Sequence, residues 1–265
     1  MSEPVVMIDG RLIPAGTVPV VPLDDGLVRG DGVFEGLRAY GRRLRDPEEH
    51  LDRMARSAAR IDLPFPRDEV ADDLARFAAA TSSPDCGVRA ILTRSGHRIV
   101  REEPLPALPA SWALAPVGHR ISPLLIAAKT VSYAANMQAA RAATAAGAHA
   151  PLLIRADDRA VLEGHIFSVC WIEGETVVFP SLETGILDSL TRRLVFEACE
   201  GVTVRDVPVE HLAHAEAVLA VSTVIESQPV HEIVGVGTYA TDGRRLAEVR
   251  GALATATRER LAPSV

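Results

Sequence analysis

The chain has 265 residues, 48% of them hydrophobic, and a formal net charge of −7. That length and apolar content suffice to bury one large core or two moderate ones, while the acidic balance and scattered arginines argue against a nucleic-acid surface. No apolar run approaches a membrane span and Met1-Ser2-Glu3-Pro4 lacks the regions of a secretory leader, so the expectation is a soluble, cytoplasmic protein whose partners are small molecules, with no nucleic acid and no membrane.

Val5 to Ile8 and Arg11 to Ile13 read as a hairpin around Asp9-Gly10, a pair suited to the positive φ angles of a tight turn. Asp24 to Gly32 is a glycine-punctuated loop that fits neither GxGxxG nor GxxxxGK[ST], which argues against a nucleotide loop. Val33 to Tyr40 alternates like a strand. From Asp46-Pro47 the pattern turns helical, with Leu51, Met54, Ala58 and Ile61 as the apolar stripe and Arg53 and Arg56 at its edges. A second helix spans about Arg67 to Ala80, and a strand covers Gly87 to Arg94 with Arg89 interrupting its apolar run. The proline-rich stretch Glu103 to Pro109, followed by Ser111 to Val117, is the best linker candidate and puts a domain boundary near residue 118, giving domains 1–118 and 119–265.

The second half opens on Leu124-Leu125-Ile126-Ala127-Ala128, read as a buried strand that ends at Lys129, with a helix from Tyr133 to Ala146. Lys129 is the only lysine of the chain; the other 27 basic residues are arginines. An arginine keeps its proton, whereas a desolvated amine can lose it and serve as nucleophile, base or Schiff-base partner. Pro151 to Arg155 and Ala160 to Gly164 read as paired strands that present Glu163 at their end. Phe167 to Trp171 and Thr176 to Phe179 pair around Glu173-Gly174, and Asp188-Ser189 caps a helix through Thr191 to Cys199. Val202 to Val204 is a strand, His211 to Glu216 a short helix, and Ala217 to Val221 a buried strand ending at Ser222-Thr223. Ile233 to Tyr239 and a helix from about Leu246 complete the chain. Cys86, Cys170 and Cys199 are odd in number and lack metal-ligand spacing, which predicts free thiols and no metal site.

Lys129 acquires partners when the remaining polar positions are set beside it. An amine that binds pyridoxal phosphate needs a carboxylate beside the pyridine nitrogen and donors for the phosphate. Glu163 suits the first role; the helix start Ser189-Leu190-Thr191 and the hydroxyls of Ser222-Thr223 suit the second. Taken in order, these pieces resemble the class IV (fold type IV) pyridoxal-phosphate enzymes, the group of branched-chain aminotransferases, D-amino acid aminotransferases and aminodeoxychorismate lyases. The motifs are Arg29-Gly30-Asp31-Gly32-Val33-Phe34-Glu35-Gly36-Leu37-Arg38, Glu49-His50-Leu51-Asp52-Arg53, Ala128-Lys129 through Asn136, Leu162-Glu163-Gly164, Gly185 through Arg192, and Ser222-Thr223 through Pro229-Val230.

The resemblance implies an α/β (α+β) fold of two domains, a small N-terminal α/β sandwich and a larger C-terminal α/β pseudo-barrel, with the cofactor at their interface and a homodimeric assembly. It implies that pyridoxal 5′-phosphate is held by Arg53, Lys129, Glu163, Ser189, Leu190, Thr191, Ser222 and Thr223, with Lys129 catalytic. Substrate contacts are implied for Arg29, Phe34, Arg38, Arg89, Arg98 and Tyr133, although solvated loop arginines are the bland reading of Arg29 and Arg98. The implied reaction moves an amino group between a branched-chain-like amino acid and a 2-oxo acid. Aminodeoxychorismate lyase activity is the alternative, and a non-catalytic cofactor-binding protein a third. Phe167-Ser168, Asp188-Ser189-Leu190-Thr191-Arg192 and Ser222-Thr223 depart from the family's usual Ser-Asn, Pro-Gly-Ile-Thr-Arg and Gly-Thr.

Overall fold

The computed structural model describes residues 5–17 and 24–261; the leader reading of Met1 to Pro4 lies outside them. The described residues form two compact units. The first takes residues up to Pro106, Ala127–Tyr133 and residues from Arg258 on, and the second takes Ala107–Ile126 and Ala134–Thr257.

The first unit is built on a six-stranded sheet. Its strands are β1 (Val5–Ile8), β2 (Arg11–Pro14), β3 (Gly32–Tyr40), β4 (Arg43–Leu44), β5 (Cys86–Thr93) and β6 (Arg98–Glu103), in the order β2-β1-β6-β5-β3-β4. The Asp9-Gly10 turn has φ angles of 48° and 79°, as its composition requires. Inside the loop expected at residues 24–32 lies one helical turn, α1 (Asp25–Val28). The helices α2 (Pro47–Arg60) and α3 (Arg67–Ala80) follow their predicted spans and lie on one face of the sheet. Met7, Leu37, Val88, Ala90, Leu92 and Val100 pack there against Leu51, Met54, Leu74 and Phe77.

The second unit holds a nine-stranded mixed sheet. Its strands are β7 (Trp112–His119), β8 (Ala150–Arg155), β9 (Val161–Gly164), β10 (Ser168–Glu173), β11 (Thr176–Phe179), β12 (Val202–Val204), β13 (Ala217–Ser222), β14 (Glu226–Ile233) and β15 (Gly237–Thr238). The order is β12-β11-β10-β13-β14-β7-β8-β9, with β15 on β14. Both faces of its centre are buried. Trp171, Val169, Val218 and Val230 fill one core, and Cys170, Ile172, Leu219 and Val221 fill another beneath the helices α5 (Leu190–Ala198) and α6 (Arg244–Glu259). A strand buried on both faces reads as a continuous apolar run, which explains the legibility of Ala217 to Val221.

Two expectations are overturned. Ser111 to Val117 is not linker but most of β7, whose Trp112, Ala113, Leu114 and Ala115 are buried between β14 and β8. Leu124 to Ala128 is not a buried strand: Pro123–Leu125 is a 3₁₀ turn and Leu124 is 79% exposed. Its apolar run finds no ladder partner, and Ala127 takes a left-handed φ of 58° on the approach to Lys129. Strand β14 runs from Glu226 to Ile233, with Pro229 inside it opposite Leu219. The helix α4 (Ala134–Ala145) stands as expected, and no helix among the described residues is long and apolar enough to cross a membrane.

Candidate active site

Short β4 pairs only with Ala39 and Tyr40, which leaves the beginning of β3 without a neighbour on that side. Residues 129–131 take that edge. The Phe34 N–H donates to the Lys129 carbonyl at 3.0 Å, the Val131 N–H donates to the Gly32 carbonyl at 3.0 Å, and Thr130 bridges Val33. The Lys129 N–H donates to Ser57 Oγ at 3.1 Å, so both backbone groups of the lysine are fixed. Lys129 is half-buried, and its Nζ lies 4.4 Å from the centroid of the Phe34 ring. Tyr133 meets the same ring edge-on, at 5.4 Å and 87°.

Behind this edge sits a buried ionic group. Arg53 grips Glu35 with Nε on Oε1 and Nη2 on Oε2, each at 2.7 Å, and His50 Nδ1 lies 2.7 Å from the same Oε2. His50, Arg53 and Ser57 recur at helical spacing on the buried side of α2. Ser57 Oγ donates to the Arg53 carbonyl at 3.0 Å, so one hydroxyl links the ion pair to the Lys129 backbone. Burial acts to raise the pKa of Glu35, but Arg53 and the hydrogen bonds from Arg53 and His50 outweigh it and hold the carboxyl well below its usual range. Burial also pushes the His50 imidazole down to about 4, so it is neutral at pH 7 and donates to Glu35.

In the second unit, Glu163 closes β9, and its Oε1 accepts from the Leu187 N–H at 3.3 Å. Gly164 follows because nothing larger fits: a Cβ there would lie 2.2 Å from the Phe167 ring. Ser189 caps α5, its Oγ accepting from the Arg192 N–H at 3.3 Å, and Leu190 and Thr191 are buried in the first turn. Ser222 Oγ accepts from the Ile225 N–H at 3.3 Å, beside buried Thr223. Ser168 stands opposite Val221 in the β10–β13 ladder, and its buried hydroxyl has no hydrogen-bond partner among the described residues.

The remaining arginines separate. Arg89 lies over the Phe34 ring at 4.7 Å and holds Glu103 through Nε and Nη2 at 2.7 and 3.0 Å. Arg38 lies over Tyr40 at 4.7 Å. Arg29 is a solvated arginine, its side chain 73% exposed and paired with Asp25 at 3.4 Å. Arg98 is not a loop residue. It begins β6 opposite Leu92, on the helix-bearing face, and is tied to Asp73 at 2.8 Å and Glu69 at 3.1 Å. Sequence reasoning assigned no role to Glu35, His50, Ser57 or Glu103. The spacing of His50, Arg53 and Ser57 on one helical face was the signal available.

The family model for amino-transferase class IV matches residues 32–233. The chain belongs to the class IV aminotransferase family. It is 26% identical to a putative branched-chain-amino-acid aminotransferase of Methanocaldococcus jannaschii, over 87% of this chain and 88% of that one. It is 33% identical to the bifunctional aminodeoxychorismate lyase / D-amino acid transaminase of Mycobacterium tuberculosis, over 60% of this chain and 63% of that one. Among solved structures, a hypothetical aminotransferase from Mycobacterium tuberculosis in its PLP-bound form superimposes with a TM-score of 0.85 at 26% identity, covering 96% of this chain and 99% of that one. This class IV aminotransferase family member is therefore an enzyme of mixed α/β fold, and its relatives carry both transaminase and lyase names.

Proposed function

We propose that the protein is a pyridoxal-phosphate-dependent aminotransferase that moves an amino group between a branched-chain-like amino acid and a 2-oxo acid. The observation that carries this reading is Lys129: the single lysine of the chain, half-buried, with both backbone groups hydrogen-bonded and its amine over the Phe34 ring. The residues present suit the cofactor chemically. They offer one amine, one carboxylate in Glu163, a guanidinium in Arg53, a capped helix start and a buried hydroxyl, Ser168, without a hydrogen-bond partner among the described residues.

When bound, pyridoxal phosphate supplies an electrophilic carbon and a ring that takes up the electron pair released at the substrate α-carbon. Lys129 would hold the cofactor through Nζ, and the same amine would move the α-proton on and off the substrate. Glu163 is proposed as the partner of the ring nitrogen, oriented by the Leu187 N–H. Arg53, the first turn of α5 and Ser222-Thr223 are proposed to receive the phosphate through N–H and hydroxyl donors. The run Phe34-Glu35-Gly36-Leu37-Arg38-Ala39-Tyr40, which resembles the branched-chain aminotransferases more than the lyases, favours the aminotransferase. A homodimer is proposed from the family resemblance, and a reducing, cytoplasmic setting from the three free cysteines.

Single-turnover absorbance of the cofactor-loaded protein with panels of L- and D-amino acids, and separately with aminodeoxychorismate, tests the proposal. Conversion of the bound cofactor to pyridoxamine phosphate by an amino acid supports transamination and reports its stereochemistry. Release of pyruvate and 4-aminobenzoate with the cofactor unchanged replaces it with the lyase. Lys129→Ala should lower turnover by about 10²- to 10⁴-fold; a variant that keeps wild-type turnover removes the basis of the reading.

A further inference from the structure

The face of the six-stranded sheet away from α2 and α3 carries a charged row beside its apolar residues. Residues directly opposite one another in antiparallel strands share a face. Gly36, Arg89 and Arg101 form one row across β3, β5 and β6, and Arg38, Gly87 and Glu103 form the next. Phe34 lies on the same face, two residues from Gly36. This side bears three guanidiniums and one carboxylate next to the apolar row of Phe34, Ile91 and Ile99. A Cβ added at Gly36 would meet nothing within 4 Å, which leaves open space directly opposite Arg89. Lys129 Nζ on the Phe34 ring brings a further basic group near Arg89, a setting that favours a carboxylate.

Glu103 is the carboxylate that already answers it. It takes the Nε and Nη2 donors of Arg89 at 2.7 and 3.0 Å and stands 4.0 Å from Arg101. The two side chains are 30% and 29% exposed, so water reaches the pair, and ion pairs at such exposure are weak enough to exchange. Arg89 Cζ and Lys129 Nζ lie 4.7 and 4.4 Å from one ring centroid, so they are no more than about 9 Å apart. A substrate that exchanges its amine at Lys129 therefore comes within reach of Arg89.

We infer that Glu103 is a specificity-determining residue: it occupies the fork of Arg89 against a second substrate carboxylate and so tunes the enzyme toward monocarboxylic amino and 2-oxo acids. The inference rests on the aminotransferase reading for the place where substrate lies. A dicarboxylate must displace one carboxylate to install another and meets the repulsion of Glu103 as it arrives, a penalty that an aliphatic side chain escapes. Glu103 acts through Arg89 and touches no reacting atom.

Calorimetric titration of the cofactor-loaded enzyme with glutarate and with valerate, neither of which can be transaminated, separates this role from a structural one. In Glu103→Gln, glutarate affinity should rise by about tenfold while valerate affinity stays within about twofold. Glu103→Ala, which leaves Arg89 no acceptor at that position, should show at least the same gain, and adding Arg89→Gln should abolish it. If Glu103 only screens Arg89 from Arg101, the thermal midpoint drops and the glutarate-to-valerate ratio stays at its wild-type value, which overturns the inference. A changed ratio in an enzyme that transaminates no amino acid would sink the aminotransferase reading alone; transamination with an unchanged ratio would sink this one alone.

Discussion

Two arginine–glutamate forks in the first unit have the same bonds and opposite settings. Arg53 holds Glu35 at 2.7 Å through two donors with side chains 7% and 1% exposed, and Arg89 holds Glu103 at 2.7 and 3.0 Å with side chains 30% and 29% exposed. Burial alone decides what each can be. In the first, neither charge can return to water without opening the core, so the pair is scaffold. In the second, solvent competes at every moment, so the pair is a contact that another carboxylate can replace.

The contrast is broken most directly by removing one partner from the buried fork. Arg53→Leu leaves Glu35 buried and uncompensated and should cost about 3–5 kcal/mol of stability in urea unfolding. A loss below about 1 kcal/mol would make the buried pair no different from an exposed one. Acid should act on the same group. Between its ordinary value of 6.5 and about 4, the His50 of an unfolded chain binds a proton that the folded chain refuses, so stability should fall as pH drops through that window. The lowered pKa of Glu35 extends the loss toward lower pH, because the unfolded carboxyl protonates first. Thermal midpoints recorded from pH 7 to 4 check this, and His50→Asn should flatten the upper part of the slope. A smaller effect is expected at Ser57, whose hydroxyl joins the scaffold to the lysine backbone. Ser57→Ala should cost about 1–3 kcal/mol by leaving the Lys129 N–H without its acceptor. Smallest of all, Glu103→Gln should change unfolding free energy by no more than about 1 kcal/mol, while Glu35→Gln measured beside it loses several times more.

The sequence exposes those parts of this molecule whose chemistry is local. Asp9-Gly10 declares its turn, Ser189 its cap, and α2 and α3 their apolar stripes, because each rests on a few neighbouring residues. Strand β14 is concealed by Pro229, and β7 by the prolines on either side of Trp112 to Ala115, since only a partner strand makes either run a strand. The run from Leu124 to Ala128 shows the reverse: apolar content without a partner gives no strand. In the candidate site, Lys129 stands out by composition and Glu163 by its place at a strand end. Glu35, His50 and Glu103 do not stand out singly, because their significance lies in forks closed across separate elements of the first unit.

The way residues 127–133 attach bears on how the gene can be dissected. A cut in the proline-rich stretch at 103–109 looks safe on paper, but it would put residues 129–131 on one polypeptide and their hydrogen-bond partners, Ser57, Gly32 and Phe34, on the other. Expressed apart, the amino-terminal piece would present the bare start of β3 as an unpaired edge, a template for self-association, and the carboxy-terminal piece would carry its amine on an unanchored segment. A split or permuted form that keeps 127–133 joined to β3 keeps the Lys129 amine seated.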